Sequence, residues 1–244
     1  MTCNENLNYE DFYQSYVRIL NENGLGEYTD DATVKGFYRL TELLLNENKK
    51  TNLTAITGIE DVITKHYADC LKLCPYIEKN ARLLDVGCGG GFPTLPLAIA
   101  RPDITITALD STAKKLDFVA MAAKELSLNV TTLAARAEEK GKEGAYREKF
   151  DVVTARAVSR LNILSELCLP FVRIGGMFIS MKGSGGYEET EEAAKGITLL
   201  GGKMNEICSF EISGMKRVVP IIKKVKGTDV KYPRMYSKIC KSPL

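Results

Sequence analysis

Five residues, Gly87-Cys88-Gly89-Gly90-Gly91, separate the apolar run "LLDV" from the helix-like "TLPLAIA". A glycine turn between a strand and a helix can take positive φ and, lacking Cβ, lets a ligand approach the main chain. In open α/β sheets ligands sit at that place, outside the carboxyl ends of the strands. Asp110 closes the next β-branched stretch, 23 residues after Gly87. That is close to the roughly 20-residue spacing at which an acidic side chain grips ribose hydroxyls. The order Gly-x-Gly-Gly-Gly, with Phe92 and Pro93 directly after it, departs from the dinucleotide fingerprint Gly-x-Gly-x-x-Gly. The acid therefore calls for an adenosine-type ribose, which S-adenosylmethionine also has, and the spacing disfavours a nicotinamide oxidoreductase. Pro93 falls where a first-turn proline is tolerated.

Other residues of interest each have a plainer reading beside the chemical one. Asp110 could cap the helix opening at "STAKK", although Ser111 can do that job. Arg156 closes an apolar strand, where an unpaired cation is costly to bury, so it calls for an acid or a ligand such as a carboxylate or an RNA phosphate. Lys182 follows another strand and is either a phosphate contact or a solvated end. His66 has Asp69 one helical turn on, which reads as a hydrogen-bonded structural histidine ahead of a substrate-side one. Glu138 is either a ligand contact or half of a surface acid pair with Glu139, and Phe92 could simply pack beneath the glycine turn.

The elements that must position these residues begin with helices. Phe12, Tyr16, Ile19 and Leu20 recur at helical spacing, and Val34, Phe37, Tyr38, Leu44 and Leu45 form a second stripe with Asp30 or Asp31 as N-cap. A third helix starts near Ile59. From residue 82 the rhythm becomes strand, turn, helix: "RLLDV", "ITITALD", "VTTLAA", "FDVVTARA" and "GGMFISMKG" read as strands with helices between them, and "KMNEICSFEI" and "KRVVPIIKKV" as a closing pair. The expected fold class is α/β, a Rossmann-like, mostly parallel sheet with an antiparallel final strand and a helical N-terminal extension. The expected division is 1–65 for the extension and 66–244 for the sheet domain with its basic tail.

Composition narrows the function. The chain has 244 residues, 45% hydrophobic and 26% charged, enough for a real core. No apolar run is long enough for a membrane span, and the acidic, polar N-terminus is no export signal, so a cytoplasmic location is expected. Seven cysteines without a Cys-x-x-Cys pair, beside a single histidine, argue against a metal site and suit reduced, partly buried thiols. Residues 1–65 hold eleven acids against six bases, whereas 216–244 hold nine bases against one acid. Such a basic tail fits a polyanionic partner, because cations gain affinity by displacing counterions from phosphates.

"LLDVGCGGGFPTLPLAIA", "ALDSTAKKLDFV", "RAEE", "FDVVTARAVSRL" and "GGMFISMKG" resemble, in order and spacing, the glucose-inhibited division protein B family. "NKKTNLTAIT", "HYADCL" and the ending "YPRMYSKICKSPL" extend the resemblance over roughly residues 45–244. The family comprises bacterial guanine-N7 methyltransferases of 16S ribosomal RNA, with a class I methyltransferase fold and S-adenosylmethionine as cofactor. By position, the resemblance implies that Gly87, Gly89 and Phe92 lie against the cofactor, Asp110 on its ribose, and Ala137 and Glu138 beside its adenine. Arg156 would position cofactor or RNA, with no general base expected. The RNA or small ribosomal subunit would meet Lys182, Arg234, Lys238 and Lys241, with Lys49 and Lys50 nearby. Cys70 stands where the family usually has Ser, and Met235 and Tyr236 interrupt its usual basic-Gly step.

The chemistry is compatible. Guanine N7 carries an in-plane lone pair, so its methylation needs positioning and electrostatics without removal of a proton. No proline precedes a cysteine and no two prolines are adjacent, so the marks of C5-pyrimidine and amino-group methyltransferases are missing. Two rivals stand beside this reading. One is a methyltransferase for a small molecule or protein, the other a non-catalytic RNA-binding protein.

Overall fold

The computed structural model describes residues 7–244; Cys3 and Glu5, counted above, lie outside the described residues. Two amphipathic helices come first, α1 (Tyr9–Glu22) and α2 (Asp31–Thr51). Asp30 caps α2 by accepting a hydrogen bond from the Thr33 amide at 3.1 Å, which satisfies one of the free first-turn donors. Their apolar faces bury Phe12, Tyr16, Phe37 and Leu44 completely. A chain of ring contacts runs from these helices inward, Tyr16 to Phe37 at 5.3 Å, Phe37 to Tyr67 at 4.7 Å and Tyr67 to Phe92 at 6.3 Å.

A third helical run spans 59–71: α3 (Ile59–Val62), a π-helical turn (Ile63–Ala68) and α4 (Asp69–Leu71). It crosses the expected 65/66 boundary without a break. The N-terminal helices also share one continuous core with a face of the sheet, through residues such as Leu83 and Ile106, and with Val119 of the helix that follows the second strand. They are a layer of this core because their apolar stripes have no other partner.

The sheet has seven strands: β1 (Arg82–Val86), β2 (Thr105–Asp110), β3 (Val130–Ala134), β4 (Phe150–Arg156), β5 (Val172–Met181), β6 (Gly202–Ile212) and β7 (Met215–Lys224). Their order is β3-β2-β1-β4-β5-β7-β6. The first five pair in parallel and β7 is antiparallel to both its neighbours, as expected. The connecting helices are α5 (Thr94–Ala100), α6 (Ala113–Glu125), the short α7 (Ala137–Lys140), α8 (Leu161–Cys168) and α9 (Gly186–Leu199). A final helix, α10 (Tyr236–Lys241), was not expected from the tail's composition. The order in which strands are added to the sheet reverses between β1 and β4, so the connections after these parallel strands diverge and leave a crevice between them.

Among the described residues no helix is long and apolar enough to cross a membrane, and no three metal-ligating side chains cluster. The six described cysteines are free thiols; Cys70, Cys74, Cys88 and Cys168 are buried, and Cys240 is exposed.

Candidate active site

The glycine turn leaves β1 with Gly87 and Gly89 at φ +73° and +56°. A Cβ on Gly87 would lie 2.6 Å from Val158, so the turn packs directly against the loop after β4. A Cβ on Gly89 would meet nothing within 4 Å, so this part of the main chain is uncovered. Asp110 ties the turn down. One carboxylate oxygen accepts from the Gly89 amide at 2.9 Å and the other from the Thr112 amide at 2.8 Å. Neither Asp110 nor Ser111 caps α6, whose N-cap residue is Thr112 without a side-chain cap; Asp110 holds the turn before it and lines the crevice. Pro93 is the N-cap residue of α5, one place before the first turn assigned to it from sequence.

The crevice has a volume of about 410 Å³. Gly87, Gly89, Phe92, Asp110, Ala137, Glu138 and Arg156 all line it, so the expected cofactor residues converge from four separate segments. Residues not assigned to the cofactor from sequence line it too, notably Thr54, Arg136 and Tyr236.

Asp85, also not singled out, holds the start of α5 from below. It is fully buried and accepts from the Thr94 hydroxyl at 2.7 Å and the Thr154 hydroxyl at 3.3 Å. A lone carboxylate inside "LLDV" was the available signal. Burial lifts its pKa from 3.8 to about 6. A carboxyl raised on folding stabilises fully below its unfolded pKa and loses that contribution as pH rises through the folded one. Asp85→Asn is therefore expected to remove a decline in stability between pH 4 and 6, read by urea unfolding across that range. An unchanged decline in the variant would place its source elsewhere.

The second group of side chains comes from the π-helical turn, a feature that often marks functional sites. Arg156 donates to Asp69 at 3.3 Å, to the Lys65 carbonyl at 3.1 Å and to His66 Nδ1 at 3.1 Å. Arg217, from β7, donates to the other Asp69 oxygen at 2.7 Å. Asp69 thus bridges two arginines. An arginine can only donate, so His66 Nδ1 accepts and Nε2 carries the proton that it gives to the Thr54 hydroxyl at 3.0 Å. Burial and the Arg156 charge lower the His66 pKa to about 3, so the ring is neutral across physiological pH. It stacks on Phe92 with centroids 4.2 Å apart, and Arg156 lies 5.7 Å from the same ring. His66 is the hydrogen-bonded histidine expected, but its partners are Thr54 and Arg156, with no bond to Asp69. Phe92 both packs under the turn and faces the crevice. The backbone turns sharply after Arg156, where Ala157 takes φ +55°, a costly conformation for a residue with Cβ.

Beside the first crevice lies a cleft of about 650 Å³, with His66, Arg156, Ala157 and Val158 as shared wall. Its cations are Lys65, Arg156, Arg160, Lys182 and Arg217, against the carboxylates of Asp69 and Glu189. Lys182 is buried and pairs with Glu189 at 2.9 Å, so it is not the solvated strand end that sequence allowed. Arg234 pairs with the fully buried Glu166 at 2.6 Å and anchors the tail. Both charges are compensated within the fold, which accounts for them without a phosphate. Lys238 and Lys241, like Lys49 and Lys50, are exposed.

The profile of the family described as rRNA small subunit methyltransferase G matches residues 34–218. The chain belongs to this family. Ribosomal RNA small subunit methyltransferase G of Acetivibrio thermocellus is 44% identical over 226 residues, covering 91% of this chain and 93% of that protein. The protein of the same description from Clostridium novyi is 41% identical over 243 residues, covering 98% and 100%. Solved structures share the fold at low identity. TrmN from Thermus thermophilus has a TM-score of 0.50 at 18% identity, covering 67% of this chain and 53% of its own. Geranyl diphosphate C-methyltransferase from Streptomyces coelicolor has a TM-score of 0.51 at 12% identity, covering 65% and 79%. Membership agrees with the methyltransferase family named from the sequence motifs, and the strand order agrees with the expected Rossmann-like sheet.

Proposed function

We propose that the chain transfers the methyl group of S-adenosylmethionine to N7 of a guanosine in 16S, small-subunit ribosomal RNA. The observation that carries this reading is the pair of clefts with one shared wall. A crevice built on a glycine turn and a ribose-type acid opens beside a cation-lined cleft, and Arg156 and His66 stand between them.

When bound, S-adenosylmethionine supplies an electrophilic methyl group on a sulfonium. The residues present fit it. Gly89 offers uncovered main chain and Gly87 the turn that presents it, and Asp110 retains acceptor capacity for ribose hydroxyls. Ala137 and Glu138 border the adenine end, where the glutamate can accept from an exocyclic amine. In the second cleft Arg156 and Arg217, held rigid by Asp69, orient an anionic nucleotide so that its acceptor atom faces the first. Fixed cations of this kind lose no reorganisation energy at the moment of reaction. His66 is not free to take a proton, because its Nδ1 lone pair accepts from Arg156 and its Nε2 proton is given to Thr54. An acceptor that already carries a lone pair suits such a site. Residues 66–244 carry the transfer in this reading, with the helices before residue 66 supporting Phe92 and His66 from behind, and a ribosomal substrate supports a cytoplasmic location.

Lys238 and Lys241 provide an outer RNA surface, together with Lys49 and Lys50. Replacing both tail lysines with glutamine is expected to lower the slope of log affinity against log salt by about 2, one phosphate contact each. An unchanged slope would assign RNA binding to another face.

The reading is tested by incubating labelled S-adenosylmethionine with undermodified small subunits and separating RNA from protein. Label in 16S RNA supports it. Label in protein, or in neither fraction although cofactor binds, would favour a protein or small-molecule acceptor.

A further inference from the structure

The tail ends in a strap whose position is built with unusual care. Arg147 donates to four carbonyls, those of Gly141, Thr228, Asp229 and Tyr232, at 2.7–3.1 Å. Lys224, fully buried, donates to the Leu169 carbonyl at 2.6 Å and pairs with Glu148 at 3.4 Å. Glu148 in turn accepts from the Thr228 amide at 2.8 Å. The Arg234 pair with buried Glu166 follows, and Ile239 of α10 is fully buried in the same core cluster as Ala137. These anchors flank one aromatic residue. Tyr236 opens α10, is 38% exposed, and lines the crevice beside Ala137 and Glu138. The Arg136 guanidinium lies 6.0 Å from its ring centroid.

A solvent-facing tyrosine held by the Arg234–Glu166 pair before it and by the buried Ile239 after it, at the rim of a crevice, has the form of a binding group. Its ring and the planar Arg136 guanidinium are the two flat groups at this end of the crevice, and both can stack on a heteroaromatic ring. We propose that Tyr236, braced by Arg136, covers the adenine of the bound cofactor and sets affinity for it. The proposal rests on the reading of the crevice as the S-adenosylmethionine site. It reassigns this part of the tail, expected to face RNA, to the cofactor.

The chain contains no tryptophan, so Tyr236→Trp places a single fluorescent reporter at this position. Titrating S-adenosylhomocysteine alone is expected to change its emission saturably, with the midpoint found by calorimetry. Tyr236→Ala is expected to weaken S-adenosylhomocysteine about three- to tenfold, the scale of one aromatic stacking contact, and Tyr236→Phe to restore affinity. Unaltered affinity in Tyr236→Ala, or emission that responds to RNA and not to S-adenosylhomocysteine, would overturn the proposal. Failure of the wild-type chain to bind S-adenosylhomocysteine would instead remove the cofactor reading, and this inference with it.

Discussion

Asp69→Ala is expected to cost about 3 kcal/mol of stability and to abolish measurable methyl transfer. The carboxylate is nearly fully buried, with two arginines bound to its two oxygens at 2.7 and 3.3 Å. Removing it leaves Arg156 and Arg217 confronting each other with no shared counter-charge. Breaking a buried ion pair by deleting one partner costs about 3–5 kcal/mol, and the partial exposure of both arginines puts this case at the lower end. Asp69→Asn keeps the shape and one acceptor, so it should recover part of the stability while transfer stays weak. Urea unfolding and single-turnover transfer measured on both variants separate the two effects. Full activity in Asp69→Ala would mean that the bridged arginines have no part in placing the acceptor.

The second large effect is on the cofactor. Asp110→Ala should weaken S-adenosylhomocysteine by about 2–3 kcal/mol, some 30- to 150-fold. Two losses combine here. The ribose loses a charged acceptor, and the Gly89 and Thr112 amides lose the carboxylate that fixes the turn. Asp110→Asn retains an acceptor for one amide and is expected to lie between the two. Calorimetry reads all three, and unchanged affinity in the alanine variant would remove Asp110 from the site.

Much of the sheet could be read from the residues because local patterns determine it. β-branched and apolar runs such as "ITITALD" and "FDVVTARA" end within a residue or two of β2 and β4, and Asp30 caps α2 as its position suggested. The crevice was legible for the same reason, since Gly87, Gly89 and Asp110 belong to strand ends that parallel pairing must bring together. Long-range partners left no such trace. Asp69 and Arg217 are 148 residues apart, and Glu166 and Arg234 are 68 apart. No local spacing announces that these charges meet, so Lys182 and Arg234 read as free cations although the fold compensates both. The π-helical turn was equally hidden, because "ITKHYA" differs in no periodic way from an ordinary helix. The tail's composition spoke only of charge, so neither α10 nor the approach of Tyr236 to the crevice could be read from it.

The account's central claim concerns the acceptor atom. Undermodified small subunits, the purified protein and isotope-labelled S-adenosylmethionine would be incubated together, and the RNA digested to nucleosides for mass spectrometry. The account predicts label in 7-methylguanosine, formed at a rate that is flat from pH 6 to 8 because the neutral His66 takes no proton. Label in a methylated pyrimidine or an exocyclic amine, or a rate that rises with a titration near pH 6.5, would contradict it.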